Sequence, residues 1–343
     1  MIQLITYPNI DPQQWQSLVE QSPYATWFQT KEAYEFYAAN KDEMTPFAYA
    51  IAEESPSPNR AQSPHRLKAL CVGYITKERS SIKQYFTRRA IIIGGPVIAD
   101  DAIEQDVELL LRAFTKELRS KTIYIETRNF NDYSRWKVIF EANGFAYQPH
   151  LNFHVDTSSV ELVESNLGKN RKRDIKTSIR DGATIVENPT IEQVRTYYAL
   201  LKQLYTTKIK TPLFSLSFFE HLYAQPNGRF ILVELNGEII GGTVCVELPN
   251  KCLYEWFVCG RDGEWKSIFP SSLATYAGIR YAAEHGCTRF DMMGAGKPDE
   301  AYGVRDFKAR FGGEQVEHGR YLCVYKPLLY TIGKLGVKLL KKR

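Results

Sequence analysis

Nowhere in the 343 residues does an apolar run approach the roughly 20 residues needed to cross a bilayer, so no membrane span is predicted. The start, MIQLITYPNI, has neither the basic flank nor the long apolar stretch of a secretory signal. The expected location is the cytoplasm. Cysteine is scarce: six residues (71, 245, 252, 259, 287, 323), with no Cys-x-x-Cys pair and most of them inside apolar runs such as GGTVCVEL. There a thiol packs as a small hydrophobe, and reduced structural cysteines are expected. The six histidines show no metal-ligand spacing on a predicted helix, with each other or with the cysteines, so no metal site is expected. No low-complexity tract dominates, which excludes fibrous and wholly disordered classes. What remains is an ordinary globular balance, 44% hydrophobic and 24% charged, long enough for one or two domains. The net charge of +5 permits an anionic partner without requiring one.

Along the chain one organisation occurs twice. In the first half, 68–78 and 83–94 read as strands, Gly94-Gly95-Pro96 breaks the second, 102–119 is an amphipathic helix, and 122–127 is a strand ending near Glu126. The helix rests on Ile103, Val107, Leu110, Leu111, Phe114 and Leu118 at helical spacing. In the second half, 229–235 and 239–248 form a hairpin through Asn236-Gly237, and 251–259 is a third strand. A helix over 271–285 follows, capped by Ser271 or Ser272 and closed by Gly286, then a strand over 288–293 that carries Asp291. Two copies of one α+β fold account for the repetition, with mixed, mostly antiparallel sheets flanked by helices.

The join is expected near 150–166, the strand 151–156 leading out of the first domain, which gives domains over 1–155 and 156–320. A basic helix within 166–182 comes next, and Thr190 with Gln193 forms a capping box for a helix over 191–205. Residues 53–66 are rich in Pro and Ser and read as a mobile loop between strands. The tail, 327–343, places Leu328, Ile332, Leu335 and Leu339 on one face and lysines on the other. It suits either docking on the first domain or lying on a membrane surface.

The richest chemical signal is Phe-Asp-Met-Met-Gly-Ala-Gly (290–296) followed by YGVRDFKARFGG (302–313). A strand enters a glycine turn, and Lys308 then sits among phenylalanines, where a cation acts at low effective dielectric and can stabilise an oxyanion. The plainer reading is an exposed lysine beside core aromatics. In the basic segment, Arg171, Lys172, Arg173, Lys176 and Arg180 span a short helix, with 172, 176 and 180 at i, i+4, i+8. Such a stripe can grip phosphates through charge-assisted bonds, or it can be a solvated face.

Taken together, these residues resemble the FemABX family, tandem GNAT-fold (acyl-CoA N-acyltransferase fold) aminoacyltransferases that build peptidoglycan cross-bridges, and their FemAB-like relatives. The resemblance rests on SPYATWFQT, IIIGGPVI (91–98), IYIETRNFND (123–132) with NGF (143–145), NRKRDIKTSIRDG (170–182), LYTTKIKTPLF (204–214), FDMMGA and FKARFGG. It implies transfer of an amino acid from aminoacyl-tRNA, as co-substrate, to an amine of a cell-wall precursor, with no resident cofactor. It also implies that the last helix, 321–343, returns to pack on the first domain; from its basic, amphipathic sequence a peripheral contact with the inner face of the membrane is the other expectation.

By position, Lys308 is implied to stabilise the tetrahedral oxygen and Phe307 to line the same pocket, while Glu126 orients or deprotonates the acceptor amine. A surface salt bridge is an equal reading of Glu126. Lys208 matches a basic position that contacts precursor phosphates. Tyr254 and Trp256, on one strand face by alternation, line the acceptor groove or are core aromatics. Asp291 and Tyr302, on either side of the glycine turn, join the substrate-binding set with Arg171, Lys172, Arg173 and Lys176. Two departures stand out: Phe36 and Tyr37 occupy a place where some relatives carry a phosphate-binding lysine, and Glu126-Thr127 replaces a usual Asp-Pro.

Acyl-CoA is the less expected donor. The loops that would cradle its pyrophosphate, 260–271 and 95–101, carry Asp262, Glu264, a proline and two aspartates. An acyl-CoA-dependent transferase of surface polysaccharide or lipid synthesis, and a non-catalytic protein that binds anionic ligands, are the alternatives.

Overall fold

The structure, a computed structural model, describes residues 2–54, 65–78 and 80–342. Residues Met1–Pro149 with His318–Arg343 make one compact unit, and His150–Glu317 make a second.

The first stretch runs β1 (Ile2–Thr6), α1 (Pro12–Gln21), α2 (Lys31–Ala39), β2 (Met44–Glu54), β3 (His65–Thr76), α3 (Ser81–Thr87), β4 (Ala90–Gly94), β5 (Val97–Ile98), α4 (Glu104–Leu118), β6 (Tyr124–Asn129), α5 (Lys137–Ala142) and β7 (Ala146–Gln148). The second unit holds β8 (Leu151–Asp156), α6 (Val160–Asn166), α7 (Lys169–Arg180), β9 (Thr184–Val186), α8 (Ile191–Leu204), α9 (Leu216–Tyr223), β10 (Gly228–Leu235), β11 (Glu238–Leu248), β12 (Cys252–Gly260), α10 (Pro270–Glu284), β13 (Arg289–Asp291), α11 (Gly303–Ala309) and β14 (Glu314–Glu317). The chain then rejoins the first unit with β15 (Arg320–Val324) and α12 (Pro327–Lys342).

Unit 1 is a sheet ordered β1-β2-β3-β4-β6-β15-β7 with β5 against β3, and unit 2 a sheet ordered β14-β8-β13-β12-β11-β10-β9. Each sheet has one parallel pair, β4 with β6 and β12 with β13. A parallel neighbour needs a crossover, and in each unit a long helix, α4 or α10, supplies it. That is the repeated pattern legible in the sequence. The Asn236-Gly237 turn has positive φ at both residues (52° and 81°), the primed geometry that matches strand twist. The capping box of α8 closes both ways, Gln193 N donating to Thr190 Oγ1 (3.3 Å) and Thr190 N to Gln193 Oε1 (2.8 Å).

Four expectations are corrected. Residues 81–87 are helical, and the strand is only Ala90–Gly94; Gln84 ties this helix to the end of β3 by donating to Thr76 O (3.0 Å) and accepting from Glu78 N. Phe269, not a serine, occupies the N-cap of α10, because Pro270 sits in its first turn where a missing N–H costs nothing. The strand 151–156 pairs with β13 and β14 inside unit 2. In β12 the register skips Trp256, since Glu255 faces Cys245 and Phe257 faces Val244. This bulge suspends strict alternation, and Trp256 stacks on its own neighbour Phe257 at 5.7 Å. The Pro/Ser-rich stretch lies mostly outside the described residues.

All six cysteines are free and buried. Phe36 and Tyr37 are fully buried core residues of unit 1. Among the described residues no helix is long and apolar enough to cross a membrane.

Candidate active site in the second unit

β13 ends at Asp291, whose side chain is completely buried. Its Oδ1 accepts from Asn152 Nδ2 (2.7 Å) and Met293 N (2.8 Å), and its Oδ2 lies 3.0 Å from His154 Nε2. Asn152 Oδ1 in turn accepts from Gly294 N (2.8 Å). Lys308, on α11, is 7% exposed and donates from Nζ to Met292 O and to Gly294 O (2.8 Å). Asp291, Asn152 and Lys308 thus hold the backbone amides and carbonyls of the turn 292–294.

This pinning has a visible use. Met293 sits at φ +52°, a left-handed conformation that costs a non-glycine residue about 1–3 kcal/mol, and Gly294 and Gly296 follow at +104° and +79°. Such a bend persists only where its surroundings determine it. Tyr302, at the N-cap of α11, closes the other side, for a Cβ on Gly296 would lie 2.8 Å from its ring.

Burial works against the charge on Asp291, yet the hydrogen bond and charge of His154, helped by Arg289, hold its carboxyl below the ordinary range. Burial lowers the Lys308 ammonium from its usual value against the opposing pull of Glu255 and Asp291. Glu255, also buried, is pushed up by desolvation against the Lys308 charge; its Oε1 accepts from Thr275 Oγ1 (2.9 Å) and Thr243 Oγ1 (3.3 Å). The result is a dry, oriented set of acids, amides and one ammonium around a strained turn. Fixed dipoles and charges of this kind favour developing charge at a reacting centre because little reorganisation is left to do.

Of the residues singled out in the sequence, Asp291, Lys308 and Tyr302 come together here. Phe307 is half-buried beside them, its ring 4.5 Å below the Arg171 guanidinium. Arg171 itself departs from the expected stripe. It is buried, its Nη1 donates to Ser272 Oγ, and it is sandwiched by Phe307 and Phe311 (4.5 and 4.6 Å). It is packing, since a guanidinium, weakly hydrated and flat, stacks where an ammonium would not.

Lys172 and Lys176 line a cavity of about 110 Å³ with Glu164, Leu167, Ile175, Ile179 and Tyr276. Arg173 is exposed with Nη2 3.3 Å from Asp174 Oδ1, and Arg180 is neutralised by Asp181 at 2.7 Å. Lys208 is exposed on a π-helical turn, Tyr205–Ile209. Tyr254 is a core residue, fully buried, with a hydroxyl held well above its usual pKa by desolvation. Trp256 is half-buried against Phe218.

Glu126 belongs to unit 1 and its carboxylate is spoken for: Arg320 Nη1 at 2.6 Å and Arg128 Nε at 3.3 Å. Despite burial, the charges of Arg128 and Arg320 hold it at about 2, and the two ion pairs favour the salt-bridge reading of Glu126 over that of a base.

Asn152, His154 and Glu255 were not singled out in the sequence. Residues 151–156, Leu-Asn-Phe-His-Val-Asp, alternate apolar and polar, which ordinarily marks a solvent-facing side. Here Asn152 is buried and His154 is nearly so, and the partner of their polar edge is Asp291. Among the described residues no group of three or more His, Cys, Asp or Glu is placed to hold a metal.

Residues 169–308, from the start of α7 to the site lysine, match the family model described as "Acetyltransferase (GNAT) domain". Over nearly the whole chain the structure is similar to that of FemX, with a TM-score of 0.70 at 13% identity, covering 96% of this chain and 99% of that one. It is similar also to a tandem GNAT protein from the clavulanic acid biosynthesis pathway (TM-score 0.56, 8% identity, 95% and 99% covered). L-PGS from Bacillus licheniformis gives 0.54 at 13% identity, with 97% and 98% covered. No curated protein matches the chain in sequence. The fold is therefore the FemABX-like tandem GNAT fold that the sequence resemblance implies.

Proposed function

We propose that the chain is a FemAB-like N-acyltransferase that transfers an amino acid from aminoacyl-tRNA to an amine of a peptidoglycan precursor, with unit 2 as the reacting half. The amine nitrogen attacks the ester carbonyl, a C–N bond forms, the ester C–O bond breaks, and the tRNA leaves with its terminal hydroxyl restored. The observation that carries this reading is the buried Lys308 ammonium. Of its three N–H groups, two hold Met292 O and Gly294 O, and this reading assigns the third to the tetrahedral oxygen. One such donor contributes about 3 kcal/mol of barrier lowering.

The state of the α10 N-terminus favours tRNA over coenzyme A. Ser271 N donates to Asp262 Oδ1 (3.1 Å) and Phe269 N to Ser178 Oγ (2.9 Å). Amides that would cradle a pyrophosphate already have partners, and one partner is a carboxylate that would repel it. Lys172 and Lys176 then suit the polyanionic acceptor end.

The test is incubation of the protein with a pool of charged tRNAs, a pool of acyl-CoAs and cell-wall precursor, read by mass spectrometry. The expected product is an aminoacyl adduct of a precursor amine that requires the charged tRNA. An adduct formed only from acyl-CoA would replace this reading with acyl-CoA-dependent transfer, and no adduct from either donor would leave a ligand-binding protein.

A further inference from the structure

From His318 to the end of the chain there is no Asp or Glu, against Arg320, Arg343 and lysines at 326, 334, 338, 341 and 342. This segment contains α12, whose two sides differ. Tyr330 meets Tyr124 of β6 edge-on at 5.1 Å, and Gly333 lies over α3, its Cβ position 3.6 Å from Phe86 O. Leu328, Ile332 and Leu335, at i, i+4 and i+7, point away from that contact and are 81%, 53% and 56% exposed. Neighbouring α3 adds exposed Tyr85 and Phe86, ring edge to face at 5.2 Å, and Ser80–Arg89 has Lys83, Arg88 and Arg89 but no acid. Next to Tyr124, Arg128 and Arg320 share the single carboxylate of Glu126, with the Arg89 charge acting on it as well. Three guanidiniums against one carboxylate leave surplus positive charge beside the helix.

We propose that this α12/α3 face of unit 1 docks on the surface of an anionic bilayer, α12 lying in the interfacial plane with Leu328, Ile332 and Leu335 in the acyl boundary. Exposed large aliphatics on an amphipathic helix supply burial, aromatic side chains suit the headgroup level, and lysines meet the negative surface potential. Charge decides between occupants. A second copy of the chain on this face would set one cationic surface against another, whereas anionic headgroups complement it. The inference is independent of the reaction assigned to unit 2.

The test is co-sedimentation of the full chain with phosphatidylcholine vesicles and with vesicles in which about a third of the lipid is phosphatidylglycerol. The expected result is binding to the anionic vesicles, weakened by salt, and about tenfold or more reduced in Leu328→Asp/Ile332→Asp/Leu335→Asp. Lys326→Ala/Lys334→Ala lowers binding and flattens its salt dependence. All three aliphatic positions are exposed, so circular dichroism and the melting temperature of the variant should stay at wild-type values. Equal recovery with neutral and anionic vesicles, undiminished binding by the triple variant, or a lipid-free dimer that the same three substitutions dissolve would each overturn the proposal.

Discussion

β6 and β13 hold the same station in their units. Each follows a long crossover helix, runs parallel to a neighbour, and carries a carboxylate, Glu126 or Asp291. Their surroundings differ in kind. Glu126 is met by guanidiniums, and the direct cross-strand partner of Arg128 is Arg320, a like-charge pair that the carboxylate makes tolerable. Asp291 is met by an amide, an imidazole and a backbone N–H, and passes its orientation on to a strained turn that Lys308 closes. Ion pairing consumes a carboxylate; a hydrogen-bonded network uses one to position other groups. Both units hold the same strand, and in the second it carries the hydrogen-bonded network around Asp291.

The sharpest way to break that comparison is Lys308→Met. It removes the proposed oxyanion donor and takes the Lys308 partner from Met292 O and from the half-buried Gly294 O, so the transfer rate should fall about 100- to 1000-fold. Each orphaned carbonyl should also cost about 1–3 kcal/mol in stability. Steady-state kinetics and denaturant melts separate the two effects. Full activity with only a stability loss would make Lys308 a turn lock and nothing more.

Glu126→Gln probes the other half. With the carboxyl held at about 2 from an ordinary 4.5, the depressed value means stabilisation present above about pH 4.5 and lost as pH falls through about 2, worth ~3 kcal/mol. The variant should melt lower at pH 7, and its stability should lose the wild type's decline over that acid window. Transfer by the folded fraction should stay unchanged. A rate loss beyond the unfolded fraction would restore the base or orienting role that the family resemblance implies for Glu126.

How much of this was legible beforehand follows from what each feature depends on. The crossover helices, the Asn236-Gly237 hairpin and the Thr190 capping box are local periodicities and turn chemistry, which a sequence displays directly. Lys308 and Asp291 were legible because a glycine-rich turn between them is unusual. His154 was not, because its partner lies 137 positions away and its strand has the alternation of an ordinary half-exposed edge. Trp256 misled because one bulge inverts an alternation that nothing in its own strand announces. The charge run at 171–180 hid two populations, since spacing tells which residues share a helix face but not which face is packed.

Helix α7 therefore offers the smaller tests, and they sharpen the comparison inside unit 2. Arg171→Ala empties the slot between Phe307 and Phe311 and should cost about 2 kcal/mol through lost stacking and packing. It should not alter how tRNA binding depends on salt, because the guanidinium is buried.

Lys172→Ala/Lys176→Ala should do the reverse. Lys176 is exposed and Lys172 half-buried, both on the rim of the cavity that Tyr276 and Glu164 share, so the melting temperature should barely move, within about 0.5 kcal/mol. If both ammoniums sit on phosphates of the acceptor end, each releases condensed counterions, and the slope of log Kd against log salt should fall by about 1 per lysine. Filter binding of charged tRNA at several salt concentrations measures that slope. An unchanged slope would return the pair to a solvated helix face and move the tRNA contact to Arg173 or Lys208, two further exposed cations of this unit.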